Sequence, residues 1–272
     1  MKNKTLIINP PFIEPHRPSI SCAILAEIHR LEEHDVTVMD LNIELFHAVG
    51  TEKFYDLQNN ILVDKVSQED LEELRQWIDQ QLTELDNYDW ITITAFSYWN
   101  NRMVRMICEN IRPKVKSKIV VGGPGIESDD FGKELYNESL VDYYVHGEGE
   151  IVLRELINGN DDYPGINGKP PVQIEEIENL PLPNYSYFDL NKYDLLLSKP
   201  DLFIYGSRGC VRKCTFCDVE HYWPKFKYRT GKNIAEEMIN NYEKFGTTNY
   251  YFTDSLLNGS LKEFRQFAET IA

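Results

Sequence analysis

In the run Gly206-Ser207-Arg208-Gly209-Cys210-Val211-Arg212-Lys213-Cys214-Thr215-Phe216-Cys217-Asp218, three of the chain's five cysteines stand at CxxxCxxC spacing. A cubane [4Fe–4S] cluster held by thiolates normally takes four protein ligands. A compact set of three therefore leaves one iron open to bind and reduce an exogenous molecule. A rival reading adds His221, four residues beyond Cys217, to make a closed Cys₃His zinc site of the structural kind. Zinc sites usually pair their ligands on two separate knuckles, whereas these lie in one run. The blandest reading is three unligated thiols. Cys22 and Cys108 stand alone in helical stretches and read as small core residues, so the five cysteines form no disulfide framework.

Upstream of that run the chain alternates short apolar segments with segments of helical periodicity. Leu6 to Asn9, Val36 to Met39, Trp90 to Phe96, Ile119 to Val121 and Val141 to Val145 read as strands. Between them Ile20 to Leu31 and Val104 to Ile111 carry helical spacing. So does the segment opened by Ser67, where Ser67-x-x-Asp70 has capping-box character and Leu71, Leu74, Ile78, Leu82 and Leu85 repeat on one face. This alternation predicts a parallel sheet covered on both faces by right-handed crossovers.

Four loops follow the strands: Asn9-Pro10-Pro11-Phe12, Ala95-Phe96-Ser97-Tyr98, Gly122-Gly123-Pro124-Gly125 and Gly147-Glu148-Gly149-Glu150. In an open α/β sheet they gather at the carboxyl edge, where such folds bind ligands. Glycines there let backbone approach a flat ligand, although each motif alone is equally a tight turn. No GxGxxG follows the first strand, which weakens an ordinary dinucleotide-binding reading with an added zinc knuckle.

The chain is 272 residues long, 42% hydrophobic and 26% charged, room for one large or two ordinary domains. Its formal net charge of -16 disfavours broad attachment to nucleic acid or an anionic membrane. No apolar run approaches a membrane span and no signal peptide opens the chain, so a cytoplasmic location is expected. Around the cysteines, Arg208, Arg212, Lys213, Lys225, Lys227, Arg229 and Lys232 form a basic strip suited to a reduced, anionic cluster or an acidic electron donor. Their alternative is plain solvated surface.

From 159 to 200, glycines, prolines and paired aspartates break all periodicity. Leu202 to Gly206 then reads as a strand with Cys210 in the loop beyond its carboxyl end, the end where barrel enzymes keep their chemistry. Ile234, Met238, Tyr242 and Phe245 share a helical face ending at Gly246, and Asn249 to Thr253 is a second strand with Asp254 at its end.

The cysteine spacing, with Phe216 before the third cysteine and Gly209 before the first, resembles the signature of radical S-adenosylmethionine (SAM) enzymes. Asn-Pro-Pro after the first strand, Gly-Gly-Pro after the fourth and Gly-Glu-Gly-Glu after the fifth, ahead of CxxxCxxC, resemble the cobalamin-binding subgroup over nearly the entire chain. The resemblance implies a Rossmann-like, flavodoxin-type parallel-sheet cobalamin-binding domain (1–158), an irregular interdomain strap (159–200), and the amino-terminal part of a radical SAM (β/α) barrel (201–272). It implies that Cys210, Cys214 and Cys217 hold a [4Fe–4S] cluster and that SAM chelates the open iron, with Phe216 beside the adenine. Contacts to cobalamin fall on Asn9, Pro10, Ser97, Tyr98, Gly122, Gly123, Pro124, Gly147 and Glu148. Phe252-Thr253-Asp254-Ser255 resembles the family's Phe-x-Asp-Asp stretch, with Ser255 in place of the second acid, and puts Asp254 at the SAM pocket wall or substrate edge. Arg229 and Glu237 match other recurrent positions. The axial-histidine motif Asp-x-His-x-x-Gly is matched only poorly around His16, so cobalt without a protein imidazole is expected.

The function so implied is reductive SAM cleavage with cobalamin-assisted methyl transfer to an unactivated carbon, ring rearrangement or oxidation being alternatives within the subgroup. A flavodoxin or ferredoxin would supply electrons, and the substrate is a small molecule or peptide. About two β/α units stand where the barrel of the family has six, so the chain reads as truncated within the barrel, or as completed by a partner or a second copy. A noncatalytic cobalamin- or cluster-binding remnant is the rival in a different functional class.

Overall fold

A computed structural model of the protein describes residues 2–193 and 201–272; the last part of the expected strap, 194–200, lies outside the described residues. The chain divides into two compact units, the first comprising Met1–Pro15 and Ser21–Val172, the second His16–Ile20 and Gln173–Ala272.

The first unit is built on five parallel strands, β1 (Lys4–Asn9), β2 (Asp35–Asp40), β3 (Trp90–Thr94), β4 (Lys118–Gly122) and β5 (Tyr143–Val145). They are ordered β2-β1-β3-β4-β5, the flavodoxin-type arrangement. Helices α1 (Ile20–Leu31), α2 (Leu41–Val49), α3 (Thr51–Leu62), α4 (Gln68–Gln81), α5 (Asn101–Ile111) and α6 (Phe131–Asn137) fill the crossovers, and α7 (Gly149–Ile157) follows the last strand. Leu6, Ile7, Ile8, Ile91, Ile93, Ile119 and Val121 are all fully buried, as continuous apolar strands must be when helices cover both sheet faces. Their burial is the main stabilising term, about 1.5–3 kcal/mol for each side chain of this size.

Local chemistry starts the helices where these strands end. Asp40, the last residue of β2, turns its carboxylate onto the N–H groups of Asn42 and Ile43 and so opens α2. Ser67 Oγ accepts from the N–H of Asp70 at 3.0 Å and donates to that residue's carboxylate at 2.6 Å, capping α4. Such caps are worth about 1 kcal/mol each. The α4 periodicity nevertheless stops at Gln81: Glu84 takes a left-handed φ of 55°, and Leu82 and Leu85 are buried beyond the helix.

The second unit contains β6 (Asp201–Ile204), β7 (Ser207–Arg208), α8 (Val219–Tyr222), β8 (Lys227–Tyr228), α9 (Gly231–Phe245), β9 (Asn249–Phe252) and α10 (Leu261–Ile271). β6 and β9 are parallel neighbours across the intervening α9, the pattern of a β/α unit, while β7 and β8 form a two-residue antiparallel pair. Thr230 caps α9 at its start and Gly246, at φ 69°, ends it. Residues 173–193 pack within this unit: Tyr185 is fully buried and its hydroxyl donates to the Phe203 carbonyl at 2.6 Å, and Thr230 donates to Glu178 at 2.6 Å. No helix among the described residues is long and apolar enough to cross a membrane.

Candidate functional site

The three thiols lie on the single loop between β7 and α8. Cys210 is half-buried, Cys214 and Cys217 are exposed, and none is in a disulfide. Gly209 turns the chain into this loop at φ 79°, and a Cβ on it would stand 2.7 Å from the Lys225 carbonyl oxygen, so no larger residue fits there. The Arg212 N–H donates to Cys210 Sγ at 3.4 Å, and Cys217 N–H donates to the Cys214 carbonyl at 3.1 Å, closing a turn between the second and third thiols. Phe216 between them is 88% exposed, an apolar ring held in solvent by its own loop. Among the described residues no three His, Cys, Asp or Glu side chains converge on a single-ion position. A closed Cys₃His zinc site needs all its donors about 2.0–2.3 Å from one ion. A cubane asks something different of the same residues, one thiolate to each of three irons, and three accessible, unpaired thiols with an N–H aimed at one sulfur suit it.

The positive strip around the loop is largely spent. Lys227 and Arg229 are buried, Lys213 pairs with Glu220 at 2.9 Å, and Lys225 with Glu175 at 2.7 Å. Arg229 Nη1 lies 2.5 Å from Glu237 Oε2, with each side chain 1% exposed, a buried ion pair. Burial pushes the Glu237 carboxyl above its ordinary range against the pull of Arg229.

Asp254 stands where the second strand of the unit ends, but its carboxylate is engaged inward. It accepts from the Gly206 N–H at 2.8 Å and from the Ser207 hydroxyl. Burial raises its pKa while those donors oppose the rise. Sequence reasoning places it in the right loop without showing that its partners are the residues leading into the cysteines. Arg17 has no such signal in the sequence. Its segment belongs with the second unit, where its guanidinium pairs with Asp201 at 2.7 Å and covers Tyr251 and Phe203 at 4.7 and 5.5 Å. Only the fold reveals this, because Arg17 lies far from both rings in sequence.

In the first unit the strand order reverses between β1 and β3, and ligands of such sheets sit outside that switch point. The loops after both strands are there. Asn9 is buried, donating to Asp40 at 2.9 Å, and Pro10 is buried beside it. Ser97 caps the short turn Tyr98–Asn100, and its N–H donates to the side-chain oxygen of Asn100 at 3.3 Å. Phe96, Tyr98 and Trp99 are 61%, 60% and 48% exposed, a group of open rings at the end of β3. Sequence reasoning misses Trp99, although Tyr98-Trp99 so close after an apolar strand is a readable signal.

At Gly123 and Gly125 the close approach is of one loop to another. A Cβ on Gly123, at φ 111°, would stand 2.6 Å from the Ala95 carbonyl oxygen, and one on Gly125 2.8 Å from Ser97 backbone. These two let the β4 loop lie on the β3 loop, where Ala95 N–H donates to Gly122 O at 2.7 Å and Gly125 N–H to Ala95 O at 2.8 Å. The strand β3 ends at Thr94 rather than Phe96. Pro124 opens the following 3₁₀ turn. Gly147, at φ 74°, clears Pro171 and donates to Glu127 at 3.1 Å, and Glu148 is buried at the start of α7. Exposed rings at a switch point, on a rigid floor of paired loops, fit a broad and partly apolar macrocycle.

No family model matches the sequence. Among curated proteins, the chain is 25% identical over 175 residues to anaerobic magnesium-protoporphyrin IX monomethyl ester cyclase of Synechocystis sp., a match over 59% of this chain and 35% of that protein. It is 22% identical over 165 residues to the cobalamin-dependent radical SAM methyltransferase TokK of Streptomyces tokunonensis, covering 52% of this chain and 23% of TokK. Among solved structures, the radical SAM methyltransferase TsrM of Kitasatospora setae, with cobalamin and a [4Fe–4S] cluster bound, superposes with a TM-score of 0.66 at 16% identity, covering 99% of this chain and 51% of TsrM. In sequence the chain is similar to part of a cobalamin-dependent radical SAM methyltransferase, and in fold to TsrM. The likeness to TsrM runs through both units, so the five-stranded sheet and the β6–α9–β9 unit have their counterparts in a cobalamin-binding, radical SAM fold. The chain matches 35% or less of the length of these curated relatives and about half of TsrM.

Proposed function

We propose that this chain holds a [4Fe–4S] cluster through Cys210, Cys214 and Cys217, takes SAM at that cluster, and carries cobalamin at the carboxyl edge of the five-stranded sheet. The observation that carries the reading is the set of three accessible, unpaired thiols on one loop, following a strand of a β/α unit. When bound, the cluster supplies the electron that cleaves the SAM sulfonium bond, and cobalamin supplies a methyl carrier.

The chain's own residues bind and place these groups. The Arg212 N–H stabilises charge on the Cys210 sulfur, and the 214–217 turn fixes the spacing of the other two sulfurs. Phe216 offers an exposed ring and adjacent backbone to the adenine of SAM. At the sheet edge, Phe96, Tyr98 and Trp99 exclude water from one face of a bound macrocycle, while the Ala95–Gly125 pairing holds the floor beneath it.

Methyl transfer is the reaction that the likeness to the methyltransferase TokK supports, and an unactivated carbon is the proposed acceptor. The cyclase relative favours ring formation as a second reading on the same machinery. Electrons would come from a flavodoxin- or ferredoxin-like donor. Anaerobic reconstitution with iron and sulfide, followed by SAM and dithionite, tests the reading. The proposal predicts 5′-deoxyadenosine or S-adenosylhomocysteine from the wild type and neither from C214A; a fully loaded cluster that consumes no SAM contradicts it. Cobalamin binding is read separately, as a perturbed visible spectrum of cobalamin retained by the protein through gel filtration.

A further inference from the structure

Three residues, Tyr205-Gly206-Ser207, carry the chain from β6 into the cysteine loop, and they are gripped from two sides. From the β8 end, the Arg229 N–H donates to Gly206 O at 2.7 Å and its Nη1 to Tyr205 O at 2.8 Å, with the guanidinium 4.8 Å over the Tyr205 ring. From the β9 end, Asp254 accepts from Gly206 N–H at 2.8 Å and from the Ser207 hydroxyl. Arg229 is itself fixed, its Nε donating to Asn233 at 2.7 Å and its charge facing Glu237 in the interior. None of these bonds uses a thiol.

We propose that Asp254 and Arg229 are positioning residues, a clamp that sets where the cysteine loop leaves the sheet, and that Asp254 acts on the cluster through Gly206 and Ser207. Both carboxylate oxygens of Asp254 are already committed to the residues three and four positions before Cys210, which leaves little of the group to contact SAM or a substrate. Backbone on both sides of Gly206 is bonded, its N–H to Asp254 and its carbonyl to Arg229, so the peptide planes entering the loop cannot rotate independently. Gly209 then meets the Lys225 carbonyl closely, extending the fixed backbone to the residue before Cys210. The effect on a cluster rests on the cluster reading above; the clamp itself is read from the protein alone.

The test compares the full chain as wild type, D254N and S207A. Amide hydrogen exchange is measured before cluster loading, and extraction of iron by a chelator after anaerobic loading. D254N keeps the size of the side chain but gives up one acceptor, and should speed exchange across 205–217 by about tenfold, and iron extraction by a similar factor. S207A, which likewise loses one of the two bonds, should speed both to a similar extent. Unchanged exchange and extraction in D254N would overturn the proposal. So would an acceleration in α9 and β9 as large as that in 205–217, which would mean general loosening of the unit. A wild-type chain that takes up no iron counts against the cluster reading alone, because the exchange measurement is made before loading and still decides the clamp.

Discussion

His29 shows how a single buried side chain ties stability to pH. Its ring is fully buried on α1, neither nitrogen has a hydrogen-bond partner among the described residues, and the His34 ring lies 6.1 Å away. Burial, then the His34 charge, lower its pKa to about 4, below the ordinary value of 6.5. Such a group is neutral in the folded state and binds its proton first in the unfolded chain. Its contribution is complete above pH 6.5 and is lost as pH falls toward 4, at most about 3 kcal/mol in all. Urea unfolding of the wild type should weaken across that window, and H29L should flatten the slope; an unchanged slope in H29L would refute the assignment. The glycines give a paired expectation. Gly123 has a left-handed φ, and a Cβ added to it would meet the Ala95 oxygen at 2.6 Å, whereas Gly149 has ordinary backbone and nothing within 4 Å. G123A should cost about 1–3 kcal/mol in thermal unfolding and G149A less than about 0.5 kcal/mol. Equal losses would mean that loop pairing does not depend on Gly123.

Between elements, the Arg229–Glu237 contact joins the residue after β8 to α9. Removing one partner of a buried pair leaves an uncompensated charge, so R229M or E237L alone should cost about 3–5 kcal/mol, while R229M/E237L together should recover much of that loss. A double-mutant cycle by urea unfolding checks it, and additive losses would contradict the pairing. Much of the element pattern is legible in the sequence. The strands are readable because Leu6 to Ile8, Ile91 and Ile119 to Val121 are apolar and buried, and α1, α4 and α9 because of their apolar spacing, supported in the last two by caps such as Ser67 and Gly246. Helices α2, α3, α6 and α7 are not. Asp40 ends β2 and caps α2 at once, leaving no linker to mark the change, and α7 starts inside Gly147-Glu148-Gly149-Glu150, which reads as a turn. The cysteine loop is legible from spacing alone. Asp254's partners and the place of Arg17 are not, because both depend on contacts between residues far apart in the chain.

The chain carries two units of different chemistry, a sheet edge bearing Phe96, Tyr98 and Trp99 and a loop bearing three thiols. The flavodoxin-type strand order and the TsrM likeness agree on the architecture, while the cyclase and TokK relatives show related sequence in proteins with different named reactions. The proposed SAM cleavage and methyl transfer would both require an iron–sulfur cubane on Cys210, Cys214 and Cys217. The decisive measurement is Mössbauer spectroscopy, with iron and sulfide analysis, of the anaerobically reconstituted chain. The expected result is one [4Fe–4S] cluster, about four irons, per chain in the wild type and its loss in C214A. Zinc in place of iron, or a wild type holding no more iron than C214A, would contradict the cluster assignment.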